Sequence, residues 1–160
     1  MKKRKFILEG YKVTYFFDYN SLFKDILLQY KESYDEALKE IFLYKIDIYL
    51  KLKYMGYQIL YVPSSEKKLI ERGFNHLEGI FKKLGLKEVK GLHKKEELTQ
   101  VGKTLVEREK MIDNYYYDGP PIKKLLIVDD VCTTGSSLKG VIKALRDSCT
   151  TICIVILAKV

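Results

Sequence analysis

Residues 123–138 read Lys-Lys-Leu-Leu-Ile-Val-Asp-Asp-Val-Cys-Thr-Thr-Gly-Ser-Ser-Leu, and this run limits the possible folds more than any other stretch. Leu125, Leu126, Ile127 and Val128 follow one another without a polar break, between two lysines and two aspartates. A strand with one wet face alternates apolar and polar residues. An unbroken apolar strand is covered on both faces, as in a parallel sheet flanked by helices. Asp129 and Asp130 then stand at the strand's carboxyl end, and a turn of small hydroxyl-bearing residues leads into a helix-like stretch over 138–146. Ligands of open α/β sheets gather at that edge.

Each residue type after the strand has a task it can perform. Gly135 permits backbone angles that other residues resist, so the turn Thr133, Thr134, Gly135, Ser136, Ser137 can aim successive amide N–H groups at one point. The following helix adds partial positive charge there. Such a point suits a phosphate. The hydroxyls of Thr133, Thr134 and Ser137 add donors, while Asp129 and Asp130 would repel phosphate but accept hydrogen bonds from sugar hydroxyls or help hold a hydrated cation. A ribose 5-phosphate satisfies both halves. Ser or Thr ahead of a helix is also an ordinary N-cap and Asp after a strand an ordinary turn residue, so the signal is the whole run in one register. Other phosphate motifs fail. Val101-Gly102-Lys103-Thr104 has the end of a P-loop, but that motif's first glycine would fall on Glu97, and no Gly-x-Gly-x-x-Gly occurs.

Nearer the N-terminus, residues 5–9 and 11–17 predict two short β segments about Gly10, as an edge hairpin or a hood. Asn20 or Ser21 can cap a helix reaching about Tyr30, and the capping box Ser33-x-x-Glu36 predicts a second from Tyr34 to about Lys51. In that second helix Leu38, Ile41, Phe42, Lys45, Ile48, Tyr49 and Leu52 fall on helical spacing, which predicts a core stripe rather than a binding face. Gly56 closes the helical region. Residues 57–62 form a strand running into Pro63-Ser64-Ser65, the second strand to end in small polar residues. Amides of that turn can hold pyrophosphate, with Lys67, Lys68 and Arg72 for charge, or the turn simply caps the next helix. An amphipathic helix to about Leu84 follows, then a strand over 87–92 and a helix over 101–111. Tyr115-Tyr116-Tyr117 form a strand or aromatic wall that packs a core edge or stacks on bases. A last strand spans 151–158. The order predicts an α/β domain with a mainly parallel sheet flanked by helices.

Val-Pro-Ser-Ser at 62–65, Glu-Arg-Gly-Phe-Asn at 71–75, Thr99-Gln100, Glu107-Arg108 and the 129–137 run occur together in the order found in the ComF family. Over about residues 25–160 the chain resembles a ComF phosphoribosyltransferase-like domain. The 129–137 run is similar to the phosphoribosyl pyrophosphate (PRPP) signature of all type I phosphoribosyltransferases, whereas Arg-Gly-Phe-Asn is characteristic of ComF. The resemblance implies a type I phosphoribosyltransferase-like fold, with residues 57–160 as its core and residues 1–56 as a small hood-like part of the same domain. It implies PRPP as ligand with Mg²⁺ carried mainly by that ligand. Asp129 and Asp130 would be the catalytic acids on the ribose, and Thr133, Thr134, Gly135, Ser136 and Ser137 would hold the 5-phosphate. Ser64, Ser65 and Arg72 would hold the pyrophosphate, beneath a lid carrying Lys94, Lys95, Thr99 and Gln100. The chain also departs from the family. Many ComF proteins carry an N-terminal four-cysteine zinc module, which is missing here. His76 stands where Gln is usual, and Met111 where Asn is customary.

At 160 residues the chain makes about one domain. Lys and Arg total 29 against 21 Asp and Glu, a formal charge of +8, which favours a polyanionic partner or is an incidentally basic surface. PRPP and weakly bound single-stranded DNA are the partners expected. Cys132, Cys149 and Cys153 form no Cys-x-x-Cys pair, so no structural metal is expected, and the odd count points to a reducing cytoplasm. The apolar runs are too short for a membrane span. Three functions stay open: a phosphoribosyltransferase in DNA uptake, natural transformation or nucleoside metabolism; a non-enzymatic competence protein that handles nucleic acid; and a PRPP-sensing regulator.

Overall fold

The computed structural model describes residues 3–32, 35–64, 66–94 and 114–160. Strands β1 (Arg4–Leu8) and β2 (Tyr11–Tyr15) pair antiparallel, and β3 (Phe17–Asp18) continues along the same edge. Helix α1 (Ser21–Glu32) begins where the Asn20 Oδ1 accepts from the Phe23 N–H at 2.8 Å, so Asn20 is the cap. A 3₁₀ turn, α2 (Lys39–Leu43) and α3 (Asp47–Lys53) lead to β4 (Gln58–Tyr61). Helices α4 (Glu66–Arg72) and α5 (His76–Phe81) precede β5 (Lys87–Glu88), β6 (Leu92–Lys94) and β7 (Tyr115–Tyr117). The chain ends with β8 (Ile122–Cys132), α6 (Ser136–Leu145) and β9 (Cys149–Lys159).

Among the described residues the main sheet runs β1-β2-β9-β8-β4-β5, parallel throughout except for the β1–β2 hairpin. The chain is therefore an α/β protein with a mostly parallel central sheet flanked by helices. Leu125, Leu126, Ile127 and Val128 are fully buried between β4 and β9, as their unbroken apolar run requires. From β4 the chain moves outward to β5, then returns to the opposite side of β4 for β8 and outward again to β9. Strand order thus reverses between β4 and β8, and a cavity lies at the carboxyl end of each strand, the edge at which open α/β sheets bind ligands. The register Tyr61↔Val128, extended by the Val62 N–H to the Val128 carbonyl at 3.0 Å, sets Pro63 and Ser64 beside Asp129 and Asp130.

Of the two places expected for the N-terminal hairpin, it takes the sheet edge: β2 and β3 pair with β9. The predicted helix over 34–51 is two helices. Lys45 adopts a left-handed backbone, φ 62°, and the break rotates the inward face onto Phe42, Leu43, Ile46, Leu50 and Tyr54. The expected core stripe is corrected accordingly, since Ile41, Ile48 and Leu52 are exposed. The strand over 87–92 is likewise divided. Gly91, φ 93°, turns the chain out of the main sheet so that β6 pairs with β7, and a Cβ there would stand 2.9 Å from the Gly119 nitrogen. Ser33 of the capping box, Ser65, Lys95, Thr99, Gln100, Lys103 and the predicted helix over 101–111 lie outside the described residues, as do the side chains of Lys67 and Lys68. No helix among the described residues is long and apolar enough to cross a membrane.

Candidate functional site

Strand alternation separates the two aspartates, because successive side chains of β8 leave on opposite faces of the sheet. Asp129 lines a cleft of about 70 Å³ together with Val131, Cys132, Thr133, Thr134, Gly135, Ser136, Ser137 and Leu138. Gly135 holds the left-handed conformation, φ 76°, at the start of α6, and a Cβ on it would come within 3.1 Å of Leu8 in the hairpin. The Gly135 carbonyl accepts from the Lys139 N–H at 2.8 Å, and the Thr134 and Ser136 hydroxyls share a hydrogen bond of 2.8 Å. Thr133, Thr134 and Ser137 are exposed. Tyr115 of β7 is buried, and burial raises its phenol pKa while the nearby Ser137 hydroxyl lowers it. A small turn with solvent-facing donors ahead of a ten-residue helix can receive an anion.

Asp130 faces the helices instead and is 8% exposed. Its Oδ2 accepts from the Lys31 ammonium of α1 and lies 2.7 Å from His76 Nε2 at the start of α5. Its Oδ1 accepts from the Val131 N–H at 2.6 Å, and the Asp129 Oδ1 accepts from the Asp130 N–H at 2.9 Å. Burial works to raise the Asp130 pKa, but the His76 hydrogen bond and the Lys31 charge outweigh it and hold this carboxyl far below the usual range. Asp129 goes the other way: burial, then repulsion from Asp130, raises its pKa well above the ordinary value. Burial lowers the His76 pKa, opposed by Asp130 and assisted by the charges of Lys31 and Arg72. Cys132 is buried and its thiol is pushed up by that burial, so it is a packed side chain rather than an activated nucleophile.

Arg72 closes α4, and its charge helps to lower the His76 pKa. Ser64 lines a second cavity of about 190 Å³ with Tyr61, Leu69, Asn75 and the 88–92 segment. The Tyr61 phenol is pushed up to about 12, chiefly by burial, with Glu88 and Glu78 adding to it. Asn75 caps α5, its Oδ1 accepting from the Leu77 and Glu78 N–H groups at 3.1 and 3.3 Å. Lys94 sits in β6 opposite Tyr115, at the base of the segment that the predicted lid would occupy. Sequence reasoning missed Lys31 and His76 as site residues. Lys31 lies just past the predicted end of the first helix and His76 directly follows the Arg-Gly-Phe-Asn run, but nothing local says that they converge on one carboxylate.

An acid pair and a left-handed glycine turn thus stand at the end of β8, next to the point where strand order reverses in a mostly parallel α/β sheet, the place where folds of this class commonly bind ligands. No family profile matches the chain. It is 33% identical over 144 residues to the competence protein ComFC of Streptococcus pneumoniae, a match covering 88% of this chain and 65% of that protein. This similarity supports a relationship to the ComF family, and the chain spans less than two thirds of the length of that curated relative.

Proposed function

We propose that this protein binds PRPP at the carboxyl ends of β4 and β8 in a competence-related role, DNA uptake during natural transformation. The observation that carries the reading is the juxtaposition of two small polar strand ends in register: Asp129 and the 133–137 turn on β8, Pro63 and Ser64 on β4. The turn takes the 5-phosphate, Asp129 faces the ribose, and Ser64, Ser65 and Arg72 take the pyrophosphate. Mg²⁺ fits this site on the ligand rather than in a protein cage. Asp130 is already engaged by Lys31 and His76, which leaves Asp129 as the carboxylate open to the cleft, and Mg²⁺ commonly combines few carboxylates with substrate phosphates. When bound, the ion supplies neutralisation of charge on pyrophosphate. If the protein turns PRPP over, cleavage at ribose C1 builds charge on the departing pyrophosphate and on the ribose. The 63–65 amides and Arg72 offset that charge electrostatically, with little call for acid–base help.

Calorimetric titration of PRPP with and without Mg²⁺ tests the site, and absence of heat under both conditions rejects it. Exchange of labelled pyrophosphate into PRPP separates enzyme from sensor, because only turnover incorporates label. Direct contact with single-stranded DNA is a second reading. It is favoured by the +8 charge and by a cleft of about 210 Å³ lined by Tyr11, Lys139, Lys143 and Arg146 together with Glu9, which pairs with Lys139 at 3.5 Å and leaves the cleft net positive. Cationic grooves with an aromatic bind single strands without reading sequence. Anisotropy of a labelled oligonucleotide at two salt concentrations should show micromolar or weaker binding that falls steeply with salt. Absent or salt-insensitive binding removes DNA from the partners.

A further inference from the structure

We propose that Lys31 and His76 are positioning residues that turn Asp130 away from the ligand and use it to set the main chain entering the phosphate cradle, leaving Asp129 as the acid that faces the sugar. The part concerning ligand rests on the PRPP reading above. The part concerning the backbone stands on the ligand-free protein.

The geometry divides the Asp130 carboxylate into two jobs. Oδ2 is held from outside the strand by Lys31 Nζ and by His76 Nε2 at 2.7 Å. Oδ1 holds the next peptide, accepting from the Val131 N–H at 2.6 Å. Val131 and Cys132 are the last residues before the 133–137 turn, and both line the cleft. Torsion about the Asp130 side chain therefore changes the direction in which the chain leaves β8. With Oδ2 fixed, that freedom is gone.

Lys31 and His76 are themselves held. Tyr30 is fully buried, and its hydroxyl donates to the His76 carbonyl at 3.0 Å, which ties α1 to the start of α5. Gly79 makes the approach possible, because a Cβ there would stand 2.3 Å from the Tyr30 hydroxyl oxygen. The charges also fit the assignment. One carboxylate and one ammonium balance, so His76 completes the cluster as a neutral Nε2–H donor. Its Nδ1 is buried with no hydrogen-bond partner, which an added proton there would not relieve. A neutral amide donor can therefore replace the imidazole, whereas an apolar side chain cannot.

The test compares His76→Gln with His76→Leu by amide hydrogen exchange on the free protein and by calorimetry with ribose 5-phosphate. His76→Leu should speed exchange at Val131 and through 133–137 by tenfold or more, leave 125–128 protected, and weaken ribose 5-phosphate about tenfold. His76→Gln should restore both values to near wild type. Lys31→Met should behave like His76→Leu, with Lys31→Arg restoring. Equal defects in His76→Gln and His76→Leu, unchanged exchange at Val131 in His76→Leu, or exchange raised uniformly along β8 would each overturn the proposal, the last by reducing the cluster to general stability. Wild-type protein that fails to bind ribose 5-phosphate rejects the PRPP reading instead, and the exchange arms still decide the backbone claim.

Discussion

Asp129 and Asp130 are adjacent, identical in type and set at one strand end, yet the cleft face and the helix face of β8 treat them oppositely. On the cleft face Asp129 lines the hydroxyl-rich turn, and burial and its neighbour's charge raise its pKa against the smaller opposing pull of the Asp130 N–H and the more distant Lys31. On the helix face Asp130 meets an ammonium and an imidazole, and its pKa falls. The difference teaches that two adjacent acids at one strand end need not be two copies of one tool. One carboxylate stays available because the other is committed.

Removing the committed acid should have the largest effect. Asp130→Ala leaves Lys31 with a nearly buried, unpaired charge and should cost about 3 kcal/mol in urea unfolding. Asp129→Ala should cost far less at neutral pH, and equal losses would erase the contrast between the faces. Next comes Gly135→Val on the cleft face. The left-handed backbone alone costs about 1–2 kcal/mol for a side-chain-bearing residue, and the added atoms press on Leu8. PRPP binding should vanish, and retained binding would mean that the cradle does not receive the phosphate.

The double replacement Asp129→Asn with Asp130→Asn should weaken PRPP more than tenfold, about 1.4 kcal/mol, while Asp129→Asn alone should account for most of that loss. Unchanged affinity in the double variant would remove the acid pair from the ligand site.

The two acids should also tilt stability against pH in opposite directions. Asp130, with its pKa depressed in the fold, contributes stability that is present above the unfolded value of about 4 and is lost as pH falls toward its folded pKa. Asp129, with its pKa raised, contributes stability that is present below about 4 and is lost as pH rises through its folded pKa. Asp129→Asn should therefore gain on wild type in unfolding free energy as pH rises from about 4, and a parallel pair of curves would contradict the raised value.

The smallest effect expected is a difference between ligands. Arg72→Ala, beyond the helix face, should weaken PRPP and pyrophosphate more than ribose 5-phosphate. Equal losses for all three would place Arg72 away from the pyrophosphate end.

Much of this was readable from local pattern. The unbroken run at 125–128 announces a strand covered on both faces, and the glycine inside a small hydroxyl turn announces a left-handed backbone. Asn20 is readable as a cap because capping is a contact within three residues. The helix over 34–51 was misjudged because its periodicity is satisfied by either of two faces. A single left-handed residue, Lys45, selects Phe42, Leu43, Ile46, Leu50 and Tyr54 over Ile41, Ile48 and Leu52. Gly91 likewise ends what looked like one strand, because its neighbours in space are Asp118 and Gly119, distant in the chain.

The sequence by itself determined the buried central strand, the acid pair at its end and the left-handed glycine turn that follows, since each depends on residues within a few positions of one another. Only the tertiary structure decided that β4 would lie beside β8 in register, that the hairpin would extend the sheet edge, and that Lys31 and His76 would meet on Asp130 but not on Asp129. Those outcomes depend on strand order and on which face of the sheet each helix covers. A charge pair between residues 31 and 130 leaves no periodic trace along the chain, because it is a consequence of packing rather than of spacing.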